Sequence, residues 1–165
     1  MRPEAPIEAF IGLGSNLASP ERQLAEALTA LAALPGTCVG AVSSFYRTAP
    51  VGCAGQPDFV NAVARIETNL APRDLLQRLL SIERDHGRVR EIPNGPRTLD
   101  LDLLRYGDLD LREDSLTVPH PRMHERAFVM VPLAELAPDL ELPGRGSASE
   151  LARGLAATQR IERIN

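Results

Sequence analysis

The chain has 165 residues, of which 44% are hydrophobic and 24% charged, and its formal net charge is −4. These values predict one soluble globular domain over residues 1–165, with no apolar run long enough to cross a membrane. The net negative charge argues against nucleic acid as a partner. All 18 basic residues are arginines, which excludes a Walker-type phosphate loop because that loop needs a lysine. The N-terminus lacks the apolar run of a signal peptide, so we expect a cytoplasmic protein.

The predicted elements follow the order β-α-β-β-α-β. In chain order, we predict a strand over 7–11, a tight polar loop over 12–16, a helix from Ser19 and Pro20 to the stop at Pro35-Gly36, a strand over 39–46, an irregular loop over 47–58, a strand over 59–68, a helix from Pro72 to Gly87, an exposed loop over 88–94 and a strand over 98–104. A short strand at 116–118, a packed helix beginning over 127–134 and a small amphipathic helix from Gly146 follow. This order is that of a ferredoxin-like α+β sandwich, a mainly antiparallel sheet with helices packed on one face.

Two carboxylates stand two residues apart in the predicted strand at 98–104. Side chains alternate across a strand, so Asp100 and Asp102 share one face and the intervening leucines share the other. Two neighbouring carboxylates ionise together readily only with a cation between them, and Mg²⁺ is bound by such pairs together with substrate phosphates. The same pattern also fits a half-buried strand with a solvated face. The tripeptide 108–110 repeats it in a predicted turn, where no chemistry is expected.

The surroundings of the acid pair favour the metal site. Arg97 precedes it, and Arg88 and Arg90 lie a short loop upstream. Planar guanidinium groups bind phosphate oxygens in a bidentate manner. Acid pair and basic loop together therefore indicate a site for a metal and a phosphate.

Segments through most of the chain resemble the 6-hydroxymethyl-7,8-dihydropterin pyrophosphokinase family of folate biosynthesis. Any one of them is a weak match, but their order and spacing together are specific. They are Ile11-Gly12-Leu13-Gly14-Ser15-Asn16-Leu17, Ser44-Phe45-Tyr46-Arg47-Thr48, Gln56-Pro57-Asp58-Phe59-Val60-Asn61-Ala62, Ile82-Glu83, Gly87-Arg88-Val89-Arg90, Gly95 to Asp102, Val118-Pro119-His120 and Arg126-Ala127-Phe128.

The resemblance implies transfer of the terminal pyrophosphoryl group of ATP to the hydroxymethyl oxygen of the pterin, giving AMP, with two Mg²⁺ ions. The implied partners are the small molecules ATP and 6-hydroxymethyl-7,8-dihydropterin, with no nucleic acid and no membrane. It assigns metal binding and catalysis to Asp100 and Asp102, and catalysis also to Arg88 and Arg97. The implied ATP-binding residues are Glu83, Arg90, Leu103, Thr117, His120 and Arg126. The implied pterin-binding residues are Thr48, Ala49, Val51, Phe59, Asn61 and Phe128. We expect a monomer.

The chain departs from the family pattern at two places. Residues 91–94 replace an Arg-Trp pair that many members carry before Gly-Pro-Arg, and Ser115 stands where some members have a nucleotide-contacting arginine. Two other functions remain open at this point. A nucleotide-binding regulatory module would not need the acid pair and the arginines together, and a two-metal nucleotidyltransferase would not need the aromatic pair Phe59 and Phe128.

Overall fold

The protein, described from a computed structural model over residues 5–17, 19–50, 55–86 and 98–164, is built on one large antiparallel sheet. The strands are β1 (Ile7–Ser15), β2 (Thr37–Val42), β3 (Tyr46–Thr48), β4 (Phe59–Thr68), β5 (Asp100–Tyr106), β6 (Leu111–Arg112), β7 (Thr117–Val118), β8 (Glu141–Leu142), β9 (Gly146–Ser147) and β10 (Ile161–Arg163). The helices are α1 (Pro20–Ala32), α2 (Pro72–Asp85), α3 (Ala127–Leu136) and α4 (Ala148–Ala156), with a short 3₁₀ helix at Met123–Glu125. No helix in these ranges is long and apolar enough to span a membrane.

The topology is the predicted ferredoxin-like one. The large sheet has the order β10-β3-β4-β1-β5, and β2 also pairs with β4. Every pairing in it is antiparallel. The predicted order β-α-β-β-α-β corresponds to β1, α1, β2, β4, α2 and β5, and the predicted fold class is confirmed.

Helices cover both faces of this sheet, so the prediction that they pack on one face only is wrong. The core on one face joins α1 and α2 to the sheet through leucines such as Leu24 and Leu75. The other core packs α3 and α4 against Phe10, Val63 and Leu104. We call these the α1–α2 face and the α3–α4 face. The second layer escaped prediction because a strand buried on both faces loses the alternation that marks a solvated face.

The predicted polar loop at 12–16 is also wrong for most of its length. Gly12 to Ser15 continue β1, paired with β4 on one side and, as far as Gly14, with β5 on the other. Their composition suits a turn, but two neighbouring strands satisfy the backbone hydrogen bonds and decide the conformation.

The predicted strand at 39–46 is interrupted at residues 43–45. The Ser43 N–H donates to the Val63 carbonyl, and the Ser43 hydroxyl accepts from the Val63 N–H at 3.0 Å. The Ser43 hydroxyl thus takes the place of a backbone carbonyl as the partner of the Val63 N–H. The chain then pairs with β4 again, as β3. β4 therefore has β1 along one edge and two successive strands along the other.

Candidate active site

Two glycines of β1 form the floor of the candidate site. Gly12 and Gly14 alternate with Ile11 and Leu13, whose side chains belong to the core on the α1–α2 face. The glycines therefore lie on the α3–α4 face. A Cβ atom on Gly14 would lie 2.7 Å from Nδ2 of Asn61, so the close approach of this side chain requires glycine.

Strand register places the polar side chains of the site in one row across these glycines. Gly14 pairs with Asn61 of β4 on one side and with Asp100 of β5 on the other, and Asp102 follows opposite Gly12. Neighbouring strands lie about 4.8 Å apart, so the backbones at Asn61 and Asp100 are about 10 Å apart. That separation suits a small ring at one end and a phosphate group at the other.

The acid pair lies on the face that the alternation predicts. Asp100 and Asp102 are half-buried, while Leu101 and Leu103 are buried in the core of the α1–α2 face. Within the described ranges, no group of three or more His, Cys, Asp and Glu side chains could hold a metal ion. Two carboxylates alone fit Mg²⁺, which keeps waters and takes phosphate oxygens as its remaining ligands.

Glu83 holds the start of β5 in place from the neighbouring helix. Its carboxylate accepts a hydrogen bond from the Leu101 N–H at 2.7 Å, and the residue is only 3% exposed. Among the described strands, β5 lies at the edge of the sheet, and this N–H takes its partner from a helix side chain and not from β1. A buried carboxylate from α2 thus fixes the backbone between the two aspartates.

The segment between β7 and α3 contributes basic groups beside β5. The His120 N–H donates to the Leu104 carbonyl at 2.9 Å, after a cis peptide bond between Val118 and Pro119. Nδ1 of His120 accepts from the Arg122 N–H, so the proton of the neutral ring is on Nε2. Burial, with the charges of Arg126 and Arg122, lowers the pKa of His120 to about 4. The ring is therefore a neutral donor at pH 7.

Arg126 connects the acid pair to an aromatic ring. Burial lowers the pKa of its guanidinium, and the charges of Asp102 and Asp100 act in the opposite direction. Its Cζ atom is 5.4 Å from the centroid of the Phe128 ring, within cation–π range. Arg126 therefore interacts both with the acid pair and with the ring of Phe128.

The other end of the row has a buried amide. The Thr48 hydroxyl donates to Oδ1 of Asn61 at 2.6 Å, and Nδ2 of Asn61 lies 3.5 Å from the Leu13 carbonyl. An amide oxygen has two lone pairs and an amide nitrogen two protons. One acceptor and one donor thus remain for a ligand. Phe59 lies on the same face, with a ring carbon 4.0 Å from the added Cβ on Gly14.

Asn16 fixes the loop that leads into β4, a role that the sequence analysis missed. Its amide donates to Oε1 of Gln56 at 2.8 Å and to the Pro57 carbonyl at 3.0 Å, and the residue is 2% exposed. In the sequence, Asn16 is the last residue of the predicted polar loop and part of a segment that resembles the family. Neither feature reveals a partner forty residues away.

The remaining predicted site residues lie elsewhere or outside the described ranges. The Leu103 side chain is in the core of the α1–α2 face, away from the site. The Thr117 hydroxyl donates to the Glu113 carbonyl within the β6–β7 hairpin. Ala49 is half-buried just after β3. Four residues lie outside the described ranges: Val51, Arg88, Arg90 and Arg97.

Comparison with known families decides the identity of this arrangement. The model of the 7,8-dihydro-6-hydroxymethylpterin-pyrophosphokinase family matches residues 10–138. The chain belongs to this family. The match includes the floor glycines, the acid pair and both aromatic residues, Phe59 and Phe128.

Two curated pyrophosphokinases are similar to this chain over most of their length. The chain is 49% identical over 156 residues to the 2-amino-4-hydroxy-6-hydroxymethyldihydropteridine pyrophosphokinase of Haemophilus influenzae, covering 94% of this chain and 98% of that protein. It is 53% identical over 142 residues to the Pseudomonas aeruginosa protein of the same name, covering 86% and 88%. The chain is thus an enzyme that transfers a pyrophosphoryl group from ATP to hydroxymethyldihydropterin in folate biosynthesis.

Solved structures of pyrophosphokinase domains share the fold. A Plasmodium falciparum HPPK-DHPS triple mutant with pteroate superposes with a TM-score of 0.71 at 14% identity, covering 92% of this chain. The chain spans 44% of that solved chain. At this identity the likeness supports the fold alone.

Proposed function

We propose that pyrophosphoryl transfer takes place on the α3–α4 face, across the floor formed by Gly12 and Gly14. The observation that carries this proposal is the row Asn61, Gly14 and Asp100, in which a ligand-binding amide and a metal-binding carboxylate flank a residue without a side chain. A hydroxymethyl group extending from a ring held at Asn61 points along this row towards the acid pair.

Asp100 and Asp102 would hold two Mg²⁺ ions together with the phosphates of ATP. Mg²⁺ held there would supply positive charge against the charge that develops on the phosphoryl oxygens. The carboxylates themselves contribute fixed negative charge on one strand face, and Glu83 supports them through the Leu101 N–H.

Arg126 and His120 bind the phosphate chain in this proposal. The guanidinium offers a permanent positive charge near the acid pair, and neutral His120 offers its Nε2–H. The arginines at 88, 90 and 97 would bring further positive charge to the transferring group. This suits a loose transition state, in which negative charge is spread over the phosphoryl oxygens.

The pterin ring is held by stacking and by its hydrogen-bonding edge. Phe59 and Phe128 supply flat apolar surfaces, and the free acceptor and donor of Asn61 match an amide-like edge. Thr48 orients that amide, and backbone groups near Ala49 and Val51 would complete the edge contacts. A monomeric state and a cytoplasmic location stay predictions of the sequence.

Product analysis with matched variants tests the site. The chain is incubated with ATP, Mg²⁺ and 6-hydroxymethyl-7,8-dihydropterin, and we expect AMP and the pterin diphosphate by mass. Asp100→Asn and Asp102→Asn should abolish turnover with the fold retained. Asp110→Asn, in the exposed turn with the same tripeptide pattern, is the control and should leave turnover unchanged. Equal activity of all three variants would refute the assignment of the acid pair.

The number of metal ions is tested separately. Titration of Mn²⁺ into the complex with pterin and a non-hydrolysable ATP analogue should reach two ions per chain, including the one that enters with the nucleotide. A single ion at saturation would contradict the two-metal proposal.

A further inference from the structure

The side chain of Gln159 bridges the backbone on both sides of Arg126. Its Oε1 accepts from the Ala127 N–H at 2.9 Å, and its Nε2 donates to the Glu125 carbonyl at 2.9 Å. Gln159 follows α4 and lies beyond residue 138, where the family match ends. One distant side chain therefore holds the peptide segment that carries Arg126.

This contact replaces a missing helix cap. Ala127 is the first residue of α3, and Arg126, at the cap position, makes no side-chain cap hydrogen bond. The first N–H groups of a helix have no partner within the helix. Gln159 supplies one for Ala127, and thereby fixes the start of the helix turn that carries Phe128.

The rest of this C-terminal segment contacts the opposite side of the site. Nη2 of Arg160 lies 3.0 Å from a carboxylate oxygen of Asp58, next to Phe59 in the chain. Strand β10 then pairs with β3, with Ile161 opposite Thr48. The segment therefore connects the strand-borne residues of the acceptor site with those at the start of α3.

We propose that Gln159 is a positioning residue for this site, setting Arg126 and Phe128 at once through the backbone between them. The inference rests on the roles proposed above for Arg126 with phosphate and Phe128 with the pterin ring. Because both side chains leave the same clamped peptide segment, loss of the clamp affects pterin binding and turnover together. Gln159 itself touches neither substrate.

The test compares three variants with the unsubstituted chain. Gln159→Met keeps the length of the side chain and removes both hydrogen bonds. Gln159→Glu keeps the acceptor for the Ala127 N–H and removes the donor. Thr158→Ala is the control, since within the described part of the chain that hydroxyl donates to the Leu155 carbonyl of α4 and to no group of the site. Each is measured for the Kd of 6-hydroxymethyl-7,8-dihydropterin, kcat and unfolding by urea.

We expect Gln159→Met to raise the pterin Kd and to lower kcat by about tenfold each. Gln159→Glu should fall between Gln159→Met and the unsubstituted chain, and Thr158→Ala should match the latter. If Gln159→Met does not fold, the intermediate values of Gln159→Glu decide. Reduced stability with unchanged pterin Kd and kcat in the folded protein would overturn the proposal, since a purely structural contact predicts that result.

Phe128→Ala separates this inference from the proposed site. If Phe128→Ala weakens pterin binding and neither Gln159 variant does, the positioning role of Gln159 is wrong and the site stands. If Phe128→Ala leaves pterin binding unchanged, the site assignment itself fails and the positioning role fails with it.

Discussion

Replacement of Glu83 by alanine tests how the acid pair is supported. The substitution removes the carboxylate of a residue that is 3% exposed and accepts from the Leu101 N–H at 2.7 Å. Loss of a hydrogen bond to a charged group costs about 1.5–3 kcal/mol, and the cavity left by the side chain adds to this cost. We expect the free energy of unfolding to fall by about 3 kcal/mol. Glu83→Gln keeps an acceptor oxygen and should cost about 1 kcal/mol.

The functional effect distinguishes support from direct nucleotide binding. Leu101 lies between the two aspartates, so a displaced backbone should lower kcat by about tenfold even at saturating ATP. Urea unfolding measures the free energy of unfolding, steady-state kinetics measure kcat, and calorimetry with an ATP analogue measures nucleotide affinity. Asp85→Ala, exposed on the same helix, is the control. An unchanged unfolding free energy with weakened ATP binding would refute this reasoning and favour Glu83 as a direct ligand of the nucleotide.

Three further predictions follow from the same geometry. Asp102→Asn should lower kcat by at least about a hundredfold, measured at saturating Mg²⁺, because a fixed charge opposite Gly12 is lost. Gly14→Ala should weaken pterin binding by about tenfold in calorimetry, because the new Cβ would meet Nδ2 of Asn61 at 2.7 Å. Gly12→Ala is the control and should bind pterin normally, because its Cβ would make an ordinary contact with Leu104 at 3.4 Å. Equal effects of the two substitutions would contradict this explanation. The pKa of His120 is about 4, below its unfolded value of about 6.5, so the unfolded chain binds more protons between these pH values and stability should fall as the pH drops through them. Because solvent still reaches the ring, we expect the free energy of unfolding, measured with urea, to fall by about 2 kcal/mol between pH 7 and pH 4. The fall should be smaller in His120→Gln, and identical pH profiles of the two proteins would show that another group titrates.

The central strand and the second helix could be predicted from local pattern. The strand predicted over 59–68 is β4, and the helix predicted from Pro72 begins there. Proline at the first helical position and a row of alternating apolar residues are local signals. Gly12 to Ser15 give the opposite local signal, and only pairing with distant strands makes them part of β1.

The acid pair could be located because two aspartates that stand two residues apart in a strand share a face. The contacts that hold the site could not be predicted. Glu83 contacts Leu101 eighteen residues away, and Gln159 contacts Ala127 thirty-two residues away. No spacing rule connects such positions, because helix packing on the sheet and the course of the C-terminal segment bring them together.

The pairing of β4 has a consequence for how the pocket responds to its ligand. β1 lies along one edge of β4, and β2 and β3 occupy most of the other. Amide protons of a strand that is bonded on both sides exchange with solvent only when large parts of the molecule open. Asn61 is paired with Gly14 on one side and with Tyr46 on the other, so we expect its backbone to be protected from exchange before the pterin binds. Phe128 is held differently, at the start of α3, where the Gln159 side chain accepts from the Ala127 N–H. The two aromatic rings proposed to enclose the pterin are therefore positioned by separate parts of the fold.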